Sequence, residues 1–310
     1  MASRYVVRRA VGAVLVLWLA ATLAFVALKS TPGDPAQALL AASGATPQEI
    51  AARRAQLGLD APLPAQYGRY LAELVRLDLG ESWLHGRPVG QMIAEQLPST
   101  LALALAATLV ALFLGLLLGL PAAFRRGTWV DTLTTSASVI GLSTPTYWSG
   151  LLAILLFALY LRWFPSAGQG SLLHLVLPAA VLGFATSGAI ARVVRAQVVE
   201  VLSANYVVAA HAKGLAPRRV LLVHVLRNAM GPALAVTALQ LGFMLSGTVV
   251  TESVFARRGL GRLVVQAIIW RDLPVVRGVM LVAALAFVLT SLAADLARGW
   301  LDPRLREDLQ

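Results

Sequence analysis

The residues that could carry out chemistry are few, and their spacing matches no catalytic or metal-binding pattern. The two lysines, Lys29 and Lys213, do not follow a glycine, so a Gly-Lys-Ser/Thr phosphate-binding loop is impossible. The four histidines form no His-x-x-x-His pair, and there is no cysteine to supply a thiolate. A Gly-x-Ser-x-Gly nucleophile turn is absent as well. We therefore expect a chain that is not an enzyme and that holds no metal or cofactor of its own.

Uncharged polar residues inside apolar segments form a first candidate site. Such side chains in a membrane either face a passage or hydrogen-bond one helix to another. The same segments contain few carboxylates, which argues against a proton-relay transporter. The candidates for lining a translocation pathway are Ser143, Thr144, Thr146, Thr186, Ser187, Gln240, Ser246 and Thr248, with Glu252 near the end of its segment.

A basic connection at residues 192–228 forms a second candidate site. Ser203 can cap a short helix there, Gly214 can end it, and Pro217 lies just beyond. A helix of about ten residues is marginal alone in water, so it must dock on another surface. The small residues Ala209 and Ala210 at its centre would allow a close approach. An ordinary basic helix lying under a membrane would have a similar composition. The basic residues that follow it are Arg218, Arg219 and Arg227.

The composition indicates that a membrane protein carries these sites. Of the 310 residues, 58% are hydrophobic and 13% are charged. A soluble chain has roughly 45–50% apolar and about 25% charged residues. A soluble domain cannot bury this excess, so lipid must cover it. The net charge of +11 would suggest nucleic acid in a soluble protein, but in a membrane protein it indicates basic cytoplasmic loops. No nucleic-acid partner is predicted.

Six segments are long and apolar enough to cross a bilayer, which takes about 20 residues each. The third contains Pro145, and the sixth has Arg277 near one end, where a long side chain can reach the interface. Lys and Arg are about twice as dense in the loops that face the cytoplasm when the N-terminus is inside, so both termini are predicted to be cytoplasmic. The predicted fold is all-α, one multi-pass transmembrane domain over residues 1–310 with spans at about 10–28, 101–124, 132–161, 172–191, 229–251 and 274–294.

The segment at 29–97 predicts a helical cap on the outer surface. Thr46, Pro47 and Glu49 form the start of a helix with a capping box, which should end near Gly58. A second, amphipathic helix carries apolar residues at helical spacing between 67 and 75, and a third is predicted at about Pro88–Leu97. The cap either only packs against the protein or offers a docking surface to an external partner.

Over about residues 4–306 the chain resembles the permeases of the dipeptide, oligopeptide and nickel family of ATP-binding-cassette (ABC) importers. The segment from Tyr206 to Val220 is similar to the coupling loop of that family, although Val208 replaces the usual glutamate. Arg257 and Arg258 stand where an aromatic-Pro pair is common. The other matching marks, in order, are Pro32-Gly33-Asp34-Pro35, Leu57-Gly58-Leu59-Asp60, Gln66-Tyr67, Leu77-Asp78-Leu79-Gly80, Trp163-Phe164-Pro165, His224-Val225-Leu226-Arg227-Asn228, Glu252-Ser253-Val254-Phe255, Gly259-Leu260-Gly261, Arg271-Asp272-Leu273-Pro274 and Leu301-Asp302-Pro303-Arg304.

The resemblance implies the type I ABC importer permease fold in the plasma (inner) membrane of a bacterium or archaeon. Two related permeases would form the pathway, two cytoplasmic ATPase subunits would bind ATP and Mg²⁺, and an extracytoplasmic binding protein would deliver the substrate. The helix at about 203–214 would be the coupling helix, seated in a groove of an ATPase. The coupling residues would then be Tyr206, Ala209, Ala210, Lys213, Gly214, Pro217, Arg218, Arg219, Arg227 and Asn228.

The substrate stays open at this point. Di- and oligopeptides are the broad default of the family, and nickel or a metal chelate is the main alternative because nickel permeases share this architecture. A stand-alone channel or secondary transporter, or a membrane enzyme or scaffold, would also account for the spans, but neither requires a coupling helix.

Overall fold

In the computed structural model, the described residues are 2–30, 33–40 and 44–301. They form helices joined by turns, with one isolated bridge between Glu81 and Pro88, and the all-α prediction is confirmed. Two π-helical segments, π1 (Ile154–Tyr160) and π2 (Val220–Leu226), follow α7 and α10. The α-helices are α1 Ala2–Ser30, α2 Pro35–Leu40, α3 Pro47–Gln56, α4 Leu63–Val75, α5 Val89–Phe124, α6 Trp129–Ser143, α7 Thr146–Ala153, α8 Leu173–Leu202, α9 Asn205–Ala212, α10 Pro217–Arg219, α11 Arg227–Val254, α12 Leu260–Ile269 and α13 Leu273–Leu301.

Four helical stretches in the described part of the chain are long and apolar enough to cross a membrane. A fifth results if α6 and the bent helix after it count as one crossing, and the apolar part of α1, Val11–Ala27, is shorter. Each of these positions coincides with a predicted span. The four stretches are Val89–Phe124, Leu173–Leu202, Val220–Leu245 and Leu273–Ala293.

The segment predicted as a span at 132–161 contains a sharp bend. Helix α6 ends at Ser143, α7 begins at Thr146, and the chain bends by 102° between them. Thr144 is extended (ψ 122°) because the ring of a following proline disfavours the helical conformation. Pro145 also lacks the N–H that would continue the hydrogen-bond ladder. The break therefore follows from the Thr144-Pro145 pair.

The prediction of a separate third cap helix is wrong, and α8 is longer than the predicted span that it contains. The helix predicted at about Pro88–Leu97 is not separate, because α5 runs from Val89 through Pro98 to Phe124. Neighbouring groups can compensate for a proline inside a membrane helix, so Pro98 does not stop it. Helix α8 passes the predicted end at 191 and reaches Leu202. The connection predicted at 192–228 thus begins as helix, and its irregular part is short.

The chain divides into two compact units. The span unit comprises Met1–Val7, Leu101–Arg257 and Ala286–Gln310, and the cap unit comprises Arg8–Thr100 and Arg258–Leu285. Helices α1, α5 and α13 each contribute to both units. The two candidate sites from the sequence lie in the span unit.

Glycines let the helices of the span unit pack closely. A Cβ added at Gly115 would lie 2.6 Å from Cγ2 of Ile190, and one added at Gly119 would lie 2.7 Å from the carbonyl oxygen of Ala191. The Gly-x-x-x-Gly pair of α5 is therefore a contact with α8, as its small-residue spacing predicts. Side chains of α5, α8, α9, π2 and α11 share one apolar core in this unit.

Local hydrogen bonds organise the cap unit. The capping box predicted for α3 is confirmed, since Glu49 N donates to Thr46 Oγ1 (3.4 Å) and Thr46 N donates to Glu49 Oε2 (2.7 Å). The buried carboxylate of Asp272 accepts from Ser82 Oγ at 2.5 Å and from Trp83 N at 3.0 Å. Asp272 therefore holds the 81–85 turn against the start of α13.

Candidate functional site

The short helix α9 is the centre of the second candidate site. It lies in the connecting segment, residues 203–216, between α8 and α10. Ser203 does not cap it as predicted, because its hydroxyl donates to the carbonyl of Glu200 at 2.7 Å and so closes the end of α8. The first turn of α9 bonds instead to Ala204, whose carbonyl accepts from Val207 N at 2.9 Å.

The two faces of α9 have different environments. Val207 (1% exposed) and Ala210 (7% exposed) are one turn apart and belong to the core of the span unit. Tyr206, Val208 and Ala209 are exposed, and Val208 retains 59% of its accessible surface. The core thus fixes one face of the helix and leaves an apolar face of small and medium side chains uncovered. A helix of eight residues gains its stability from that fixed face.

Gly214 ends this segment in the left-handed conformation, with φ +74°. The chain closes through Lys213 N to Ala209 O (3.0 Å) and Leu215 N to Ala210 O (3.3 Å). A Cβ at position 214 would meet no atom within 4 Å. Glycine is therefore required here for its backbone freedom and not for space inside this chain.

Asn228 links α9 to α11. Its Nδ2 donates to the Tyr206 hydroxyl at 2.9 Å and to the carbonyl of His224 at 2.9 Å. The structure thus brings together two residues that the sequence placed at opposite ends of the coupling loop. A displacement of α9 would act on the first turn of α11 through this bond and through the shared core.

The remaining predicted coupling residues are basic or structural. Lys213, Arg218, Arg219 and Arg227 are all exposed, so the surface around α9 carries a positive charge. Pro217 is the first residue of α10, and its side chain lies outside the described part.

An ion pair that the sequence did not predict lies before the connecting segment. Arg195 of α8 donates to Asp131 of α6 through two bonds, Nε to Oδ1 and Nη2 to Oδ2, both 2.7 Å. Asp131 is 8% exposed and also accepts from Gly127 N at 3.0 Å and from Thr135 Oγ1 at 3.3 Å. The pair is bidentate, which is the strongest arrangement of arginine and carboxylate. It clamps the start of α6 to α8, two turns before α9.

The first candidate site is divided between two places in the span unit. Ser143 and Thr144 lie at the α6–α7 break and line a cavity of about 410 Å³ together with Tyr147 and Trp148. The Thr144 hydroxyl donates to its own helix, to the carbonyl of Ile140 at 2.7 Å. Thr146 begins α7 and is half-buried.

The other pathway candidates with described side chains are half-buried or buried. Thr186 and Ser187 of α8 donate to backbone carbonyls of their own helix. Gln240 of α11 is half-buried, whereas Thr248 and Glu252 of the same helix are fully buried. The side chain of Ser246 lies outside the described part.

The chain is similar to membrane components of transport systems along most of its length. Residues 112–307 match the binding-protein-dependent transport system inner membrane component, and residues 2–104 match the N-terminal region of such a membrane component. A protein of Brucella melitensis biotype 1 named as a peptide transport system permease protein is 40% identical over 99% of this chain and 100% of its own length. The glutathione transport system permease protein GsiC of Escherichia coli K12 is 39% identical over 97% of this chain and 98% of its own length.

Solved structures of transporters have a similar fold. The MetNI methionine ABC transporter in an inward-facing conformation aligns with a TM-score of 0.55 at 19% identity, covering 68% of this chain and 97% of that one. An amino acid ABC transporter aligns with a TM-score of 0.53 at 15% identity, covering 67% of this chain and 94% of that one. These likenesses establish the type I importer permease fold.

Proposed function

The chain belongs to the family of binding-protein-dependent transport system inner membrane components, and on this premise we propose that it forms half of the pathway of an ATP-driven importer of di- and oligopeptides. The family itself identifies the chain as a membrane permease of an ABC importer. The further proposal is that a second, homologous permease forms the other half, and that two ABC ATPases and one external binding protein complete the assembly. Its N- and C-termini would then face the cytoplasm.

The observation that carries the proposal is the two-faced helix α9. Its buried face, Val207 and Ala210, is packed in the core of the span unit, while the apolar face next to it is exposed in this chain. A groove on an ATPase would cover that exposed face, and the small side chain of Ala209 would let the two backbones approach. The basic surface formed by Lys213 and its neighbours would face acidic groups of the same partner.

A mechanical account follows from the bonds around α9. Closure of the ATPases on ATP would displace α9, and Asn228 and the shared core would pass the displacement to α11. The Asp131–Arg195 clamp would carry α6 along with α8. The spans would then exchange inward-open and outward-open packings, which is a rigid-body switch between two discrete states. ATP and Mg²⁺ would be held by the partner subunits.

Peptide is the substrate class that the relatives favour. The relatives described above are named for peptide and glutathione transport, and glutathione is itself a tripeptide. Nickel or a metal chelate is the alternative. No group of three or more His, Asp or Glu side chains that could hold a metal ion occurs within 2–30, 33–40 and 44–301, so a nickel permease of this sequence would have to pass its cargo without such a cluster.

Uptake by the assembled transporter tests the proposal. The chain would be co-expressed with its neighbouring transport genes, purified as a complex and reconstituted in liposomes with the binding protein outside. We expect uptake of a labelled dipeptide that requires ATP and stops when the ATPase subunits are inactivated. Uptake driven by an ion gradient without ATPase subunits would contradict it. The ligand that co-purifies with the binding protein, identified by mass spectrometry and calorimetry, separates peptide from nickel.

A further inference from the structure

A cavity of about 580 Å³ lies within the cap unit, and the coupling mechanism makes no use of it. Its walls come from the end of α1, from α3 and α4, from the 78–86 turn and from the start of α13. This volume falls in the range of pockets that bind small molecules, roughly 300–1,000 Å³. The sequence did not predict it, because its walls come from segments more than 200 residues apart.

Arg277 on the cavity wall makes no hydrogen bond or ion pair with the described residues, although the carboxylate of Glu73 is near enough to act on its charge. Its guanidinium carbon lies 5.2 Å from the ring centroid of Phe25 and 4.9 Å from that of Tyr70. Its Nε is buried and donates to no acceptor, and no carboxylate of the described residues lies within ion-pair distance. Two aromatic faces stabilise the cation but leave the N–H group unsatisfied, which is an unfavourable state for a buried donor. Sequence analysis placed this side chain at the interface, whereas the structure places it among aromatic rings.

The hydroxyl of Tyr70, next to Arg277, is also an unsatisfied donor among the described residues. The residue is 5% exposed, and its buried hydroxyl has no hydrogen-bond partner among the described residues. The neighbouring Tyr67 differs, since its hydroxyl is 2.7 Å from Thr22 Oγ1. Burial raises the pKa of Tyr70, so the hydroxyl stays protonated and available as a donor. Two unmatched donors thus lie in one wall of the cavity. Both atoms are fully buried, so a ligand carboxylate that supplies their missing acceptor must displace the side chains that cover them.

The other charges on the wall indicate that the ligand carries a positive group as well. Three arginines and three carboxylates line the cavity, so a ligand with only negative charge would meet as much repulsion as attraction. Glu73 lies one helical turn from Tyr70 on α4, and neither Glu73 nor Glu81 accepts a side-chain hydrogen bond within the described residues. An ammonium group of the ligand would pair with them at a short distance from its carboxylate.

We propose that this cavity binds a small zwitterion, an amino acid or dipeptide, whose carboxylate is held by Arg277 and Tyr70 and whose ammonium group faces Glu73 and Glu81. Arginine binds a carboxylate through two parallel hydrogen bonds, and a tyrosine hydroxyl adds a third donor. That the physiological ligand is a peptide rests on the proposed function. That the cavity binds a zwitterion rests only on the side chains that line it. The cap would then hold substrate-like molecules at a point separate from the helix α9 that couples to ATP.

Calorimetric titration of L-alanyl-L-alanine tests the proposal. The protein would be the purified complex in nanodiscs, without ATP and without the binding protein, so the result does not depend on transport. We expect saturable binding that weakens about tenfold in Tyr70→Phe and about 100-fold in Arg277→Met, as hydrogen bonds to a charged group predict. The matched controls are Tyr67→Phe, outside the cavity, and Arg76→Met, at the exposed end of α4, and both should bind within about twofold of the unmodified chain.

Blocked ligands keep the test decisive if Arg277→Met fails to fold. Alanylalanine amide lacks the carboxylate and N-acetyl-alanylalanine lacks the ammonium group, and each should bind about 100-fold more weakly. Equal binding of the amide, or no difference between Tyr70→Phe and Tyr67→Phe, would overturn the assignment. Glycerophosphoethanolamine distinguishes a lipid headgroup, and the proposal fails if that compound binds and the dipeptide does not.

Discussion

Breaking the Asp131–Arg195 pair should loosen the link between α6 and α8. The informative change is Asp131→Asn, because asparagine keeps an oxygen for Gly127 N but loses the charge and one acceptor of the bidentate pair. The partner change is Arg195→Gln, and the double variant completes a cycle. Asp131→Asn conserves size, whereas Arg195→Gln shortens the side chain. The coupling energy of the cycle, and not the effect of either single change, therefore reports on the pair.

The magnitude follows from the burial of the two side chains. A hydrogen bond to a charged group contributes about 1.5–3 kcal/mol when buried, and an exposed ion pair less than about 1 kcal/mol. The Asp131 side chain is 12% exposed and that of Arg195 is 34% exposed, so the pair lies between these limits and we expect a coupling energy of about 1–2 kcal/mol. For a chain of 310 residues that corresponds to a fall of roughly 1.5–3 °C in Tm.

Two assays read the effect. Thermal unfolding in detergent, followed by tryptophan fluorescence, gives the stability change, and the number of peptides imported per ATP hydrolysed gives the functional change. The control is the exposed Arg54–Asp60 pair, whose side chains are 47% and 55% exposed, changed in the same way to Arg54→Gln and Asp60→Asn. Additive effects of Asp131→Asn and Arg195→Gln, within about 0.3–0.5 kcal/mol, would refute the reasoning. So would a coupling energy no larger than that of the control pair.

Three further predictions concern single positions. Gly214→Val should uncouple ATP hydrolysis from uptake, because a β-branched residue at φ +74° costs about 1–2 kcal/mol. Gly214→Asn should retain coupling, because asparagine tolerates the left-handed conformation. Equal uptake per ATP in both variants would contradict this. Asn228→Ala and Tyr206→Phe each remove the bond between α9 and α11, so each should lower uptake per ATP and the double variant should lower it no further; additive losses would count against the link. Asp272→Ala leaves Ser82 Oγ and the Trp83 N–H without their acceptor. It should destabilise the cap unit by about 2–4 kcal/mol, measured as faster hydrogen exchange at 81–85. Exchange unchanged from that of the parent chain would show the contact to be dispensable.

Features encoded within a few neighbouring residues could be predicted from the sequence. The capping box at Thr46 and Glu49 depends on side chains three residues apart, and the structure contains both of its bonds. Gly214 was expected to end a short helix because its position requires a left-handed residue, which it adopts. The Gly-x-x-x-Gly spacing of Gly115 and Gly119 is typical of a close helix contact, but spacing alone does not identify the partner helix α8.

Features that depend on tertiary context could not be predicted from the sequence. Two prolines had opposite effects: Pro145 breaks a span whereas Pro98 continues inside α5. Local propensity alone does not separate the two cases, because compensation for the lost hydrogen bond comes from neighbouring helices. The prediction that Ser203 caps α9 failed for a related reason, since α8 extends to Leu202 and uses that hydroxyl for its own end.

Contacts of charged side chains with residues distant in the sequence were the main features that the sequence analysis did not predict. Asp131 and Arg195 are 64 residues apart, and each has an ordinary explanation when read alone, as a helix-start acid and as a loop cation. Arg277 was interpreted as reaching the membrane interface, yet it lies against the rings of Phe25 and Tyr70, which are far away in the sequence. A sequence gives the residue types of such contacts but not their pairing.

Cross-linking from the exposed face of α9 tests the central claim most directly. The chain has no cysteine, so Ala209→Cys can carry a single benzophenone label on the exposed face, and Ala65→Cys on the exposed surface of α4 is the matched control. In the assembled complex we predict that the label at 209 cross-links to an ATPase subunit, that the yield changes when ATP binds, and that the label at 65 gives no such product. Equal cross-linking from both positions, or none from 209 in a complex that imports substrate, would contradict the assignment of α9 as the coupling helix.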